Sequence, residues 1–277
     1  MTNKLTNILN WKSSSIIEIN WKKPWNTTTI MVWVHWNELS WVNALLEILD
    51  EIKIISWKIY FIFANLKALK LNQRQFEKNM NRCFIENNIW TTYEDKRANE
   101  ITPYLQKSDY LLDVHNTLNK NNSIPFLISE YKELWQYFQV DLVVSGFDEL
   151  HKWWSDWYMN LIWKKWICLE SWSIYDEKWS EIAKNWILNF LKFTKNISGN
   201  PKIYEKQKFI NFDNIYKNKT LNFRFTKEFL DFEKVNLWQI IAYDWEEKII
   251  SQKDWYIVFT YNPKNIWDEC FCFWEEI

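Results

Sequence analysis

The chain has 277 residues, with 34 basic against 35 acidic side chains and a net charge of −1. That length holds one large domain, or a large one beside a small one, and the balanced charge argues against nucleic acid or an anionic membrane as a partner. The opening residues carry no basic region followed by an apolar one. No apolar run reaches the ~18 residues needed to cross a bilayer, so neither a signal peptide nor a membrane span is expected.

In chain order, apolar runs of strand length fall at 27–34, 58–65, 109–115, 124–129, 141–146 and 166–171. Amphipathic helical patterns lie among them at 40–52 and 93–106, and a third follows at 175–193. Alternation of buried strand and amphipathic helix predicts an α/β domain with a mixed, largely parallel sheet. Near residue 195 the grammar changes to short alternating segments with turn signals, as in 238–262. A small, mainly β region is therefore predicted after a boundary at 195–201, dividing the chain into 1–197 and 198–277. The cysteines Cys83, Cys168, Cys270 and Cys272 form no C-x-x-C pair. Cys270 and Cys272 fit alternation along a C-terminal strand better than a metal site, and a reduced, cytoplasmic protein is expected.

Composition holds one anomaly: 22 tryptophans and 2 glycines. Average usage would give roughly 19 glycines in such a chain. Without them, almost every positive-φ turn lacks its usual residue. The tryptophans stand in turn-like contexts: WKKPWN (21–26), HKWWSDW (151–157), LIWKKW (161–166) and SWS (171–173). Each becomes ordinary loop sequence when Trp is read as Gly. A gene in which UGA encodes glycine, translated as tryptophan, would produce this pattern. Trp135, in the helical stretch YKELWQYF, is the best candidate for a true tryptophan. The alternative is a Trp-rich module binding glycans or a membrane surface, which leaves the missing glycines unexplained.

Two of the three histidines end predicted strands. His35 follows MVWV, with Glu38 three residues on, and His115 closes LLDVH. In open α/β sheets ligands bind at the carboxyl ends of strands. Two His and one Glu are a ligand set for catalytic zinc that leaves a position for water. Asp113, two residues before His115 on the same strand face, is a candidate to orient it. Alone, His-x-x-Glu also describes a satisfied surface pair. His151 lies in a polar loop and reads as solvated. Glu170 ends the strand WICLE, where a lone carboxylate is rare unless paired or functional.

The combination of VHWNELSW (34–41), Asn65 to Ala68, Arg74, NMNRCF (79–84) and Asp113 to His115 resembles the succinylglutamate desuccinylase/aspartoacylase family of zinc carboxypeptidase-like hydrolases. The resemblance covers most of 27–195, and Trp33, Trp36 and Trp41 fall on family glycines. It implies a zinc carboxypeptidase-like α/β domain holding one Zn2+ per chain on His35, Glu38 and His115. It implies Glu170 as the catalytic carboxylate and Arg74 as the arginine that stabilises the tetrahedral oxyanion. Asn81 and Arg82 become the pair that holds the substrate carboxylate, for which a planar guanidinium is suited. Two departures stand out: Asn79-Met80 replaces Asp-Leu, and Leu66 stands where proline is common. Before Glu170 only Lys164 and Lys165 occupy the region where aspartoacylases carry a second substrate arginine, which counts against N-acetylaspartate as substrate. The implied activity is hydrolysis of a small-molecule N-acyl amino acid, with a homo-oligomer compatible with the sequence. The alternative within the fold is a carboxypeptidase acting on short peptides. Tyr261, on a C-terminal loop, is a candidate to reach the site.

Overall fold

The computed structural model describes residues 7–8, 14–20, 26–32, 34–35, 39–55, 58–71, 73–85, 89, 91–117, 124–149, 152–173 and 180–276. Fourteen strands and six helices of four residues or more run through them. The strands are β1 (Ile16–Asn20), β2 (Thr27–Val32), β3 (Lys58–Phe63), β4 (Tyr110–Thr117), β5 (Phe126–Ile128), β6 (Leu142–Ser145) and β7 (Lys165–Ser173), then β8 (Lys208–Lys217), β9 (Phe223–Phe225), β10 (Glu233–Val235), β11 (Ile240–Asp244), β12 (Glu247–Ile250), β13 (Trp255–Val258) and β14 (Glu269–Glu276). The helices are α1 (Leu39–Glu51), α2 (Leu66–Lys70), α3 (Tyr93–Lys107), α4 (Lys132–Trp135), α5 (Ser155–Leu161) and α6 (Ser180–Phe193).

The strand runs expected from apolar patterning each contain a strand, and the three expected helices are α1, α3 and α6. The first part of the last, 175–179, lies outside the described residues. Local chemistry sets where these elements begin. Thr92 opens α3 with a capping box: its hydroxyl accepts the Asp95 N–H at 3.2 Å, while the Asp95 carboxylate accepts the Thr92 N–H at 3.2 Å. Two backbone donors that a helix start leaves bare are thereby satisfied. Asn65 caps α2 by accepting the Ala68 N–H at 3.1 Å, which gives the Asn-x-x-Ala spacing a structural meaning.

One sheet of eleven strands organises the molecule, in the order β1-β3-β2-β4-β7-β5-β6-β8-β14-β13-β10. Strands β3, β2, β4 and β7 are mutually parallel, as are β5, β6 and β8. β5 runs antiparallel to β7, so the sheet is mixed. Alternation along each strand assigns the faces. Ile30, Val32, Leu112, Val114, Ile167 and Leu169 pack with residues of α1 and α6, such as Leu45 and Phe190, on one side. Met31, Leu111 and Cys168 pack on the other, with Ala98 and Ile101 of α3 and Tyr158 of α5. Both faces are covered, which is why these strands read as continuous apolar runs.

Beyond β8 the sheet continues as the antiparallel strands β14, β13 and β10. A separate antiparallel sheet, β12-β11-β9, lies alongside. Phe223, Phe229, Val235, Ile241, Ile257 and Phe271 form the core of this region. All four cysteines are buried free thiols, Cys270 and Cys272 both on β14. No described helix is long and apolar enough to cross a membrane.

Candidate active site

Three neighbouring parallel strands deliver the key side chains to one end of the sheet. His35 follows β2, His115 lies on β4, and Glu170 on β7 is the register partner of His115. Because β2, β4 and β7 are adjacent, the three residues meet at the carboxyl ends of the strands. The two imidazoles are almost fully buried, with ring centroids 5.8 Å apart. His35 Nε2 stands 3.2 Å from Asn79 Oδ1, and His115 Nε2 stands 3.2 Å from the Asp113 carboxylate. At His35 the Asn79 oxygen favours the tautomer that carries its proton on Nε2 and its lone pair on Nδ1, whereas at His115 the Asp113 carboxylate stands close without hydrogen-bond geometry. The Ser155 hydroxyl, at the start of α5, donates to Asp113 in turn. Among the described residues no three His, Cys, Asp or Glu side chains form a complete metal cluster. Glu38, the expected third ligand, lies outside the described residues, as does His151.

A cavity of about 1100 Å³ opens over this strand end, lined by His35, His115, Glu170, Arg74, Asn81 and Arg82. Every described residue expected at the site thus reaches it, except Asp113 behind His115. Tyr261 lines it too, from the C-terminal region. Burial pushes the Arg82 guanidinium below its usual range, Glu269 and Asp156 act in the opposite direction, and Arg74 lowers it further. Two arginines that repel each other across one cavity favour an anionic occupant. Arg82 is aimed by a bond from Nη1 to the Asn81 carbonyl at 2.9 Å. Lys164 and Lys165, in contrast, pair with Asp109 at 3.2 Å and Glu133 at 2.7 Å.

Residues 26–145 match the catalytic domain of the succinylglutamate desuccinylase/aspartoacylase family. Solved structures share the architecture. Succinylglutamate desuccinylase from Chromobacterium violaceum is 15% identical, with a TM-score of 0.78 over 96% of this chain and 90% of that one. A succinylglutamate desuccinylase/aspartoacylase from Rhodobacter sphaeroides is 15% identical, with a TM-score of 0.73 over 95% and 88%. The product-bound ectoine utilization protein EutE (DoeB) from Ruegeria pomeroyi is 15% identical, with a TM-score of 0.74 over 94% and 88%. These chains share the fold described above. No curated protein matches the sequence at a significant level.

Several residues that organise this strand end escaped sequence reasoning. Glu94 of α3 is fully buried, and its carboxylate accepts the backbone N–H groups of Phe76, Glu77 and Lys78 at 2.7–3.3 Å. The Asn65 amide donates to the same carboxylate at 3.3 Å. Glu94 therefore fixes the loop between Arg74 and the turn Met80–Arg82, and the only hint in sequence was an acid in the first turn of a helix. Asn79, read as a mere departure from Asp, caps that turn through the Asn81 N–H at 3.0 Å and also meets His35. Asp156, beside Ser155, is buried, and burial raises its pKa well above the carboxylate range, with Asp148 and Asp113 adding to the shift.

Proposed function

We propose that the chain is a zinc-dependent amidohydrolase of the succinylglutamate desuccinylase/aspartoacylase family, cleaving the amide of an N-acyl amino acid. The observation that carries this reading is the convergence of His35, His115, Glu170, Arg74, Asn81 and Arg82 on one cavity. Two buried imidazoles, His35 with the Asn79 oxygen at Nε2 and His115 beside the Asp113 carboxylate, suit a zinc site in which Glu38 is the third ligand. Zinc bound there would acidify a water and polarise the scissile carbonyl. Asn81 and Arg82 hold the carboxylate of the amino acid. Glu170, half-buried opposite His115, takes a proton from the attacking water and delivers it to the leaving nitrogen. Arg74 stabilises negative charge on the carbonyl oxygen. The water oxygen bonds to the acyl carbon, the C–N bond breaks, and the products are a carboxylic acid and a free amino acid. Four free thiols suit a reducing cytoplasm.

The test is product analysis on a panel of N-acylated amino acids and short peptides. A free acyl acid plus an amino acid is expected, and release of a C-terminal residue from peptides instead would identify a carboxypeptidase. Purified protein should hold about one zinc per chain, as a two-His, one-Glu site requires. Stoichiometric zinc in a chain lacking both histidines would refute the ligand assignment.

The same reading includes glycine at most tryptophan positions. Support comes from the backbone: of eight described non-glycine residues at positive φ, five are Trp153, Trp163, Trp238, Trp245 and Trp267. A bulky residue is an outlier there and glycine the usual occupant. Trp245 follows Asp244 in the tight hairpin between β11 and β12, where its φ of 60° is that of the first central residue of a Gly-led turn. Trp41 behaves differently, being buried with Nε1 donating to the His115 carbonyl and the Ser171 hydroxyl, each at 2.9 Å.

A further inference from the structure

Asn79 stands where the two halves of the candidate site meet, and one atom of it touches both. Its side-chain oxygen accepts the Asn81 backbone N–H at 3.0 Å and lies 3.2 Å from His35 Nε2. A backbone N–H can only donate, so the Asn81 bond puts oxygen, not nitrogen, at the end of the amide that faces both groups. The His35 contact is then a hydrogen bond in which the ring donates from Nε2. The Asn79 carbonyl accepts in addition the Arg82 N–H at 2.9 Å. Backbone and side chain of residue 79 together carry the turn Met80–Arg82, and the residue lines the same cavity as His35, Asn81 and Arg82.

Capping alone does not account for this placement. Asn is a common cap because one bond to a backbone N–H satisfies the turn. The second contact spans 44 residues of sequence and reaches a side chain just beyond β2. The stretch before Asn79 is fixed as well, since Glu94 accepts the N–H groups of Phe76, Glu77 and Lys78 at 2.7–3.3 Å. An oxygen held by fixed backbone on one side cannot follow a moving ring on the other. The orientation of His35 and the position of the Asn81–Arg82 turn are therefore set together. The two imidazoles also have different neighbours: His115 stands 3.2 Å from the Asp113 carboxylate, whereas His35 meets a neutral amide. An amide oxygen orients a ring without the added basicity that a hydrogen-bonded carboxylate lends it.

We infer that Asn79 is a neutral positioning residue tying His35 to the carboxylate anchor Asn81–Arg82, so that one amide oxygen sets both zinc affinity and substrate binding. This rests on the zinc amidohydrolase reading above. With Nε2 bonded to Asn79, His35 keeps Nδ1 for a metal. With its N–H bonded to the same oxygen, Asn81 holds the turn that presents Arg82 to the substrate carboxylate.

The experiment compares the purified full-length parent with Asn79→Leu and Asn79→Asp. Zinc affinity is measured by chelator competition. KM is measured at saturating zinc on whichever N-acyl amino acid of the panel above is hydrolysed fastest. Asn79→Leu keeps the bulk and removes the acceptor, so zinc should bind about 10–100-fold more weakly, as on loss of an orienting partner. Its KM should rise by about tenfold, the worth of one hydrogen bond to the anchor turn. Asn79→Asp keeps an acceptor for both bonds and adds charge, so zinc should bind about tenfold more tightly than in the parent. Zinc affinity within about twofold of the parent in Asn79→Asp would make Asn79 a turn cap alone and overturn the inference. Weakened zinc binding with unchanged KM in Asn79→Leu would break the tie between the two halves and overturn it too. Should Asn79→Leu fail to fold, Asn79→Asp decides alone. Either overturning result leaves the amidohydrolase reading intact, whereas a parent chain that binds no zinc would remove that reading and this inference with it.

Discussion

Replacing Trp153, Trp163, Trp238, Trp245 and Trp267 together by glycine should stabilise the protein. All five hold φ between 58° and 78°. A side chain in the left-handed region costs roughly 1–2 kcal/mol per residue, from crowding of Cβ against the following carbonyl. Glycine's greater freedom in the unfolded chain takes back roughly 0.5–1 kcal/mol. Little apolar burial is lost, since Trp163 is 91% exposed and the least exposed of the five, Trp153, is 43% exposed. The net gain is about 0.5–1 kcal/mol per site, or about 2.5–5 kcal/mol for five sites distant enough to add. For a chain of this size that corresponds to a rise in Tm of roughly 5–20 °C, read by circular dichroism melting. The five-fold Trp→Ala variant is the control, because it removes the rings but keeps the Cβ, and it should gain little. Equal gains from alanine and glycine, or no gain from glycine, would refute the backbone argument.

The gene should carry UGA at most tryptophan codons, including positions 33, 36, 41, 154 and 172, and UGG throughout would end that proposal. Asp113→Asn should weaken zinc binding by about 10–100-fold, as loss of an orienting carboxylate does, measured by chelator competition; unchanged affinity would detach Asp113 from the site. Glu94→Gln should raise KM and lower stability by about 2 kcal/mol, because a buried charged acceptor of several N–H groups is lost; a normal melting curve with normal KM would contradict its role in the loop. Burial raises the Asp148 pKa to about 7, with Glu130 adding and an Asn160 hydrogen bond opposing. A raised acid binds its proton in the folded state over a range where the unfolded chain has lost it, so its contribution falls as pH climbs toward 7 and stays lost above. Asp148→Asn should therefore raise Tm at pH 8 relative to the parent and leave it nearly unchanged at pH 4, and the reverse order would contradict the assignment.

The central sheet was legible because β2, β3, β4 and β7 are covered on both faces, which writes their burial into the sequence as unbroken apolar runs. His35, His115 and Glu170 were legible for a related reason, as each ends such a run, and order along parallel strands brings strand ends together. The role of Glu94 was not, since its partners are backbone N–H groups of a loop about 17 residues away, and a backbone donor leaves no mark in sequence. The five positive-φ tryptophans were foreshadowed by composition, although which of the 22 tryptophans occupy such turns required backbone geometry. Trp41, whose codon is predicted above to be UGA, packs its ring against Trp186 at 6.1 Å, so the fold alone does not mark it as a glycine position.

The most direct test of the account is Glu170→Gln, with turnover, zinc content and melting temperature measured on one sample. Gln is nearly isosteric and can still hydrogen-bond a water, but it cannot take its proton. Loss of a general acid–base group costs about 10²–10⁴-fold, so kcat should fall at least that far while KM, bound zinc and Tm stay close to the parent. Near-normal turnover together with a lowered melting temperature would make Glu170 a structural carboxylate and contradict the account.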